Sequence, residues 1–294
     1  MGIWGGVGVA LVTPMDEQGD VDRKALERLV EHVTAGGVDF LVALGTTAES
    51  ATLTRGEKKM VVETVLAVNA GRLPVIVGVG GNNTTEVIRE LKETEWLSAC
   101  QGILSITPFY NKPNQEGLYA HFKALAANAP LPLCLYNVPG RTGANLRAET
   151  LARLASECPN IVAVKEASGN FEQATEILKT RREGFSVLSG DDSIVLPLMS
   201  MGFDGVISVL ANVCPRACSE LVNAVHRGDY AAARAGHLRL SGLCKSLFKE
   251  GNPAGIKAAL HVVGILERNM LRLPLTPVSD ALYEEIRGEL VGLS

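Results

Sequence analysis

A chain of 294 residues with 47% apolar and 20% charged side chains can bury a sizeable core, as one large domain or two ordinary ones. Its net charge of −4, without a basic cluster, argues against nucleic acid and anionic membranes as partners. No apolar run approaches bilayer length, and residues 1–6 lack the basic start and apolar stretch of a signal peptide, so the expected location is the cytoplasm.

Eight short runs rich in Val, Ile and Leu punctuate the chain, at 6–12, 40–44, 74–79, 102–106, 133–136, 161–165, 185–189 and 205–209. Between the first two, Leu26, Leu29, Val30 and Val33 follow the i, i+3, i+4, i+7 spacing of one buried helix face. The next helix opens with Thr54-Arg55-Gly56-Glu57, a capping box. The one after opens with Asn83-Thr84-Thr85-Glu86, again with a glutamate placed to reach back. Alternating strands and helices imply a parallel sheet. Eight such units over ~225 residues favour a closed (β/α)8 barrel, of the α/β class, with an open doubly wound sheet as the alternative. After the eighth run the strands stop, and from about Ala217 helix follows helix. Asn252-Pro253 reads as a cap followed by proline at the first helical position. Leu273-Pro274-Leu275-Thr276-Pro277 breaks the chain before a last short helix. The expected domains are a catalytic barrel over 1–224 and a C-terminal helical domain over 225–294.

Six scattered cysteines suit reduced thiols in a cytoplasmic protein, and Cys134, inside an apolar run, reads as a small core residue. Cys214-x-x-x-Cys218 has no second pair nearby, so zinc is not expected. His32, His121, His226, His237 and His261 are isolated and read as ordinary helix or surface histidines. Gly78-Val79-Gly80-Gly81-Asn82-Asn83 lacks both the last glycine of a dinucleotide fingerprint and the Walker lysine, which leaves a tight turn.

In a β/α barrel, functional side chains gather where strands end and loops begin. The strand ends here supply Gly45-Thr46-Thr47-Ala48-Glu49-Ser50, Thr107-Pro108-Phe109-Tyr110-Asn111, Tyr136-Asn137-Val138-Pro139-Gly140-Arg141-Thr142, Lys165-Glu166 and Gly190-Asp191-Asp192. Each has a plain structural explanation. Thr46 and Thr47 can end a turn. Tyr136 can be an amphipathic core residue, Arg141 a surface charge, and Asp191 a helix cap. Lys165 is the most telling. It ends the branched run Ile161-Val162-Ala163-Val164, the pattern of a strand buried on both faces. One reading is a snorkelling lysine with its charge in water. The other is an amine stripped of water. Desolvation favours its neutral form, which attacks a ketone and forms an imine. The other strand ends tip the balance to the second reading. A tyrosine with a threonine can relay the protons that expel hydroxide from a carbinolamine. Gly45-Thr46-Thr47 offers donors for a keto-acid carboxylate, and Arg141 a fork for a second one.

Taken together, these motifs strongly resemble the dihydrodipicolinate synthase (4-hydroxy-tetrahydrodipicolinate synthase) family. It lies within the pyruvate-dependent class I aldolase superfamily that also holds N-acetylneuraminate lyase. The resemblance implies a (β/α)8 barrel with a helical C-terminal domain, usually a homotetramer built as a dimer of dimers. It implies Lys165 as the Schiff-base lysine and Thr47, Tyr136 and Tyr110 as a proton relay, with the counterpart of Tyr110 reaching in from a neighbouring subunit. Arg141 matches the carboxylate-binding arginine at the site entrance, and Thr46, Gly190 and Ile207 match positions lining the pyruvate pocket. The implied reaction condenses pyruvate with L-aspartate-4-semialdehyde on the diaminopimelate route to lysine, with no metal or organic cofactor. Another pyruvate-dependent aldolase, of the N-acetylneuraminate lyase or keto-deoxy-sugar type, would share Lys165 and Tyr136. A non-catalytic barrel that binds a keto acid is the reading from a different class. Ala48 stands where the family commonly has glycine. Ser50, Ala51, Asn82 and Glu86 match positions of the family's lysine effector site. There Arg55 and Lys58 replace frequent histidines and Phe109 replaces a tyrosine, so weak or absent inhibition by L-lysine is expected.

Overall fold

The computed structural model describes residues 4–293. Residues 1–3, which carry part of the reading on signal sequences, lie outside the described residues, as does Ser294. Eight strands form among the described residues: β1 (Gly6–Ala10), β2 (Phe40–Ala43), β3 (Val75–Gly78), β4 (Gly102–Ile106), β5 (Leu133–Asn137), β6 (Ile161–Glu166), β7 (Ser186–Ser189) and β8 (Gly205–Ser208). They follow one another in chain order around a closed parallel barrel, so the (β/α)8 expectation holds and the open sheet is excluded. The helices are α1 (Arg23–Ala35), α2 (Arg55–Asn69), α3 (Thr84–Glu93), α4 (Gln115–Ala126), the single turn α5 (Pro139–Thr142), α6 (Ala148–Glu157), α7 (Phe171–Thr180) and α8 (Val195–Met201). The helix α9 (Pro215–His226) follows β8 and completes the ring, and beyond it come α10 (Tyr230–Phe248), α11 (Ala254–Val262) and α12 (Asp280–Val291). No helix among the described residues is long and apolar enough to cross a membrane.

The strands are buried along almost their whole length, as expected for a parallel sheet covered on both faces. Their ends differ from the apolar runs for identifiable reasons. β1 stops at Ala10 because the Val12 N–H turns to the Asn212 side chain, at 3.2 Å, instead of a neighbouring strand. Asn212 Nδ2 donates in turn to the Ala10 carbonyl at 2.8 Å. β5 and β6 each run one residue further than hydrophobicity suggests, to Asn137 and Glu166. Those polar residues are paired in register and hydrogen-bonded to each other.

The chain divides into two compact units. One holds the segment up to Gly6 together with Pro74–Ile207, the other Val7–Leu73 together with the chain from Ser208 onward. In the second unit, Leu26, Leu29, Val30 and Val33 are fully buried on α1, and Thr54 and Glu57 form the capping box of α2. In the first unit, Asn83 caps α3 through the N–H groups of Thr85 and Glu86. Glu86 does not reach back; its carboxylate pairs with Arg89 one turn on. Proline 253 departs from its expected place as well. It is the cap of α11, which starts at Ala254, and the Asn252 side chain is engaged elsewhere.

His121 is buried on α4 with Nδ1 2.9 Å from the Thr84 hydroxyl. Burial pushes its imidazole down to about 4. An unfolded histidine titrates near 6.5, so between these values the unfolded chain binds more protons than the folded one. Stability contributed by the neutral ring is therefore complete above about 6.5. It is lost as pH falls through about 4. The loss is on the order of 3 kcal/mol. Denaturant melts across this window should show it, and His121→Phe should flatten that component of the pH dependence. An unchanged slope would contradict the assignment.

Candidate active site

Lys165 lies at the end of β6 and is only 5% exposed. Successive side chains on a strand point to opposite faces, so Lys165 and Glu166 leave the strand in opposite directions. Lys165 is in register with Tyr136 of β5, and its Nζ sits 4.2 Å from the centroid of the tyrosine ring. On the other face Glu166 is in register with Asn137. Its Oε2 accepts from Asn137 Nδ2 at 3.0 Å and from Gln173 Nε2 at 3.1 Å, and its Oε1 from the Ser168 N–H at 2.7 Å. Asn137 in turn donates to Asn145 Oδ1 at 2.8 Å and accepts from the Leu146 N–H at 2.9 Å. This network of neutral donors saturates the carboxylate next to the lysine. It also locks β5 to β6, which fixes Tyr136 against Lys165. Cys134, earlier on β5, does not compete as a nucleophile, because burial pushes its thiol up to about 12.

Gly190 follows β7 and donates its N–H to the Glu166 carbonyl at 2.8 Å. A β-carbon at this position would lie 2.9 Å from Lys165 Cε and 2.7 Å from Ala167 Cβ. The glycine therefore leaves the room that the lysine stem occupies. Ile207, on β8, is fully buried. Asp191 caps the short turn that follows through the Ser193 N–H, its structural explanation. Arg141 is exposed on α5.

Tyr110 stands apart. It is 87% exposed, with a left-handed φ of 73°. Its loop is nevertheless latched: Asn82 donates to the Phe109 carbonyl at 3.1 Å, and Asn111 to the Asn82 carbonyl at 2.9 Å. Within one chain, Tyr110 presents its ring to solvent.

In the second unit, Thr46 and Thr47 start a tight turn over Thr46–Ala48, directly after β2. Thr47 is buried, and its Oγ1 accepts from Asn252 Nδ2 at 2.9 Å. Ala48 is buried, and its carbonyl accepts from the Thr13 hydroxyl at 2.8 Å. Ser50 and Ala51 form the next turn, and Arg55 and Lys58 begin α2.

A profile of the dihydrodipicolinate synthetase family matches residues 4–291. The chain belongs to this family. A 4-hydroxy-tetrahydrodipicolinate synthase of Parabacteroides distasonis is 50% identical over 289 residues, which cover 98% of this chain and 97% of that one. Dihydrodipicolinate synthase from Thermotoga maritima superposes with a TM-score of 0.95 at 41% identity, covering 98% of each chain. The enzyme from Cyanidioschyzon merolae, solved with lysine bound, gives a TM-score of 0.95 at 40% identity, covering all of this chain and 99% of that one.

Ala48 lies in the tight turn without left-handed backbone, so its methyl group needs no glycine-only conformation. Sequence reasoning overlooked three polar residues beyond the barrel. Asn252, which its sequence context marks as a helix cap, bonds Thr47 instead. Lys257 and Arg272 were passed over, although Lys257 interrupts the apolar stretch Gly255-Ile256-Lys257-Ala258-Ala259 just as Lys165 ends one. Both bond Glu49, the residue after the threonine turn.

Gly190→Ala should displace the Lys165 stem and lower stability by about 1–3 kcal/mol through overpacking. A denaturant melt and a crystal structure of the variant check this. An unmoved Lys165 with unchanged stability would show that the glycine is dispensable.

Proposed function

We propose that this chain is a 4-hydroxy-tetrahydrodipicolinate synthase that joins pyruvate to L-aspartate-4-semialdehyde through an imine on Lys165, in lysine biosynthesis. The observation that carries the reading is the buried Lys165 amine at a strand end, seated over Tyr136 and given room by Gly190. The half-identical relative of that name supports the substrates.

The neutral Lys165 amine attacks the ketone carbon of pyruvate and gives a carbinolamine. Loss of water gives the imine, whose protonated nitrogen is the electron sink for the next step. The pyruvate methyl group then releases a proton and leaves an enamine. Its methylene carbon attacks the aldehyde carbon of the semialdehyde, whose oxygen takes up a proton. The amino group of that substrate attacks the imine carbon, the Lys165 nitrogen departs, and a six-membered ring closes. Each proton movement is assigned to the Tyr136, Thr47 and Tyr110 hydroxyls as general acids and bases. Thr46, with Gly190 and Ile207, is assigned to the pyruvate pocket. Arg141 is assigned to the carboxylate of the second substrate, where a guanidinium can bind with two parallel hydrogen bonds. The reaction as written uses no metal or organic cofactor.

The exposed, fixed position of Tyr110 supports its donation to the site of a neighbouring copy in a homotetramer arranged as a dimer of dimers. For the effector positions Ser50, Ala51, Asn82, Glu86, Arg55 and Lys58, the reading is a site weakened for lysine. Arg55 and Lys58 bring positive charge towards a cationic ligand, a repulsion of order 1 kcal/mol when solvated.

Borohydride reduction with pyruvate should add one reduced pyruvate to the peptide that carries Lys165. Lys165→Ala should abolish that adduct and lower kcat at least ~10³-fold. Full activity in Lys165→Ala, or turnover with N-acetylmannosamine in place of the semialdehyde, would overturn the reading. Separately, lysine at millimolar concentration should leave most of the activity. Complete inhibition there would refute the weakened effector site.

A further inference from the structure

We infer that Lys257, acting through Glu49, is a positioning residue that holds the Thr46-Thr47 turn, so the helical segment beyond the barrel sets the geometry of the threonine hydroxyls. The inference rests on the proposed roles of Thr46 and Thr47 in the imine chemistry.

The turn is an unfavourable piece of backbone. It lies between two non-glycine residues with left-handed dihedrals, Leu44 at φ 55° and Glu49 at φ 54°. Branched and long side chains avoid that region, and it persists only where the surroundings over-determine it. Here they do so on every side. Glu49 is buried with no exposed side-chain surface, as is Lys257. Its Oε1 is paired with Lys257 Nζ, and its Oε2 accepts from the Arg272 N–H at 3.0 Å. Lys257 is itself held by the Met270 carbonyl at 2.9 Å. The Arg272 guanidinium donates to the carbonyls of Gly19 and Thr52, each at 2.8 Å, and grips Glu57 at the start of α2. Asn252 reaches Thr47 directly. Three side chains of one C-terminal stretch thus converge on residues 47–57.

Stability alone does not explain such a pair. Taking two charges out of water is costly, and an apolar pair of similar volume often serves the fold as well or better. A buried ion pair does fix direction: the carboxylate must face the ammonium and the Arg272 N–H together. This pins Glu49, and with it the left-handed residue that ends the threonine turn. Lys257 is too enclosed to meet a substrate, so its influence on the reaction passes through the turn.

The test replaces the pair by neutral groups, Glu49→Gln with Lys257→Met, which leaves no bare buried charge. Rates are normalised to the number of sites trapped by borohydride with pyruvate, so a loss of folded protein does not register as slow turnover. The paired variant should lose roughly tenfold to a hundredfold in kcat per trapped site and raise the KM for pyruvate. In a Thr47→Val background the same change should cost less than about a further twofold in kcat, because the hydroxyl it positions is already gone. Wild-type kcat and KM per trapped site, or an equal fold-loss in both backgrounds, would overturn the inference. If the paired variant does not fold, Glu49→Asp in the same cycle, which keeps both charges but shortens the reach of the carboxylate to Lys257, is read by the same criteria. Undiminished turnover in Thr47→Val would remove this inference together with the relay role of Thr47, whereas the Lys165 adduct reports independently on the imine reading.

Discussion

The proposed chemistry depends on keeping one amine buried and free of a carboxylate. Lys165 is buried at the end of β6, and among the described residues it forms no ion pair. The nearest acid in sequence is Glu166, which strand alternation turns to the opposite face. There, hydrogen bonds from Asn137, Gln173 and Ser168 satisfy it. Facing the amine is the ring of Tyr136, and beside its stem is the space left by Gly190. The network behind the strand therefore has two effects. It ties β5 to β6, and it holds the Glu166 carboxylate on the face away from Lys165.

The second buried lysine shows the opposite outcome. Lys257 is as enclosed as Lys165, but it meets Glu49 and the Met270 carbonyl. Lys257 is tied into an ion pair, whereas the Lys165 Nζ faces an aromatic ring and, among the described residues, no carboxylate. Burial alone thus does not set the two lysines apart. The partner decides, and the partner follows from which face of which element the side chain leaves. The segment beyond the eighth strand packs polar side chains against the loop after β2, because Asn252, Lys257 and Arg272 all bond residues of that loop.

Local pattern carried much of the architecture. Eight Val- and Ile-rich runs with helices between them set the barrel class, and seven-residue apolar spacing on α1, the capping box at Thr54 and the turn residues all agreed with the folded state. Lys165 was legible because a charged residue closing a continuous apolar run is chemically anomalous. Two cap residues depart from local preference because another partner, one near and one distant, binds them instead. Glu86 prefers Arg89 to its own helix cap. Asn252 has the composition of a cap, yet its amide bonds Thr47, 205 residues away in sequence.

By itself, the sequence determined the order and type of the elements and singled out Lys165 as an anomalous polar residue, since both are written in spacings of a few residues. The tertiary structure alone decided how each polar group is matched: Tyr136 against Lys165, Asn137 against Glu166, and Lys257 against Glu49 across 208 residues of chain. Hydrogen bonds and ion pairs act over about 3 Å and depend on direction, and no pattern along the chain encodes which distant groups the closed barrel brings within that reach.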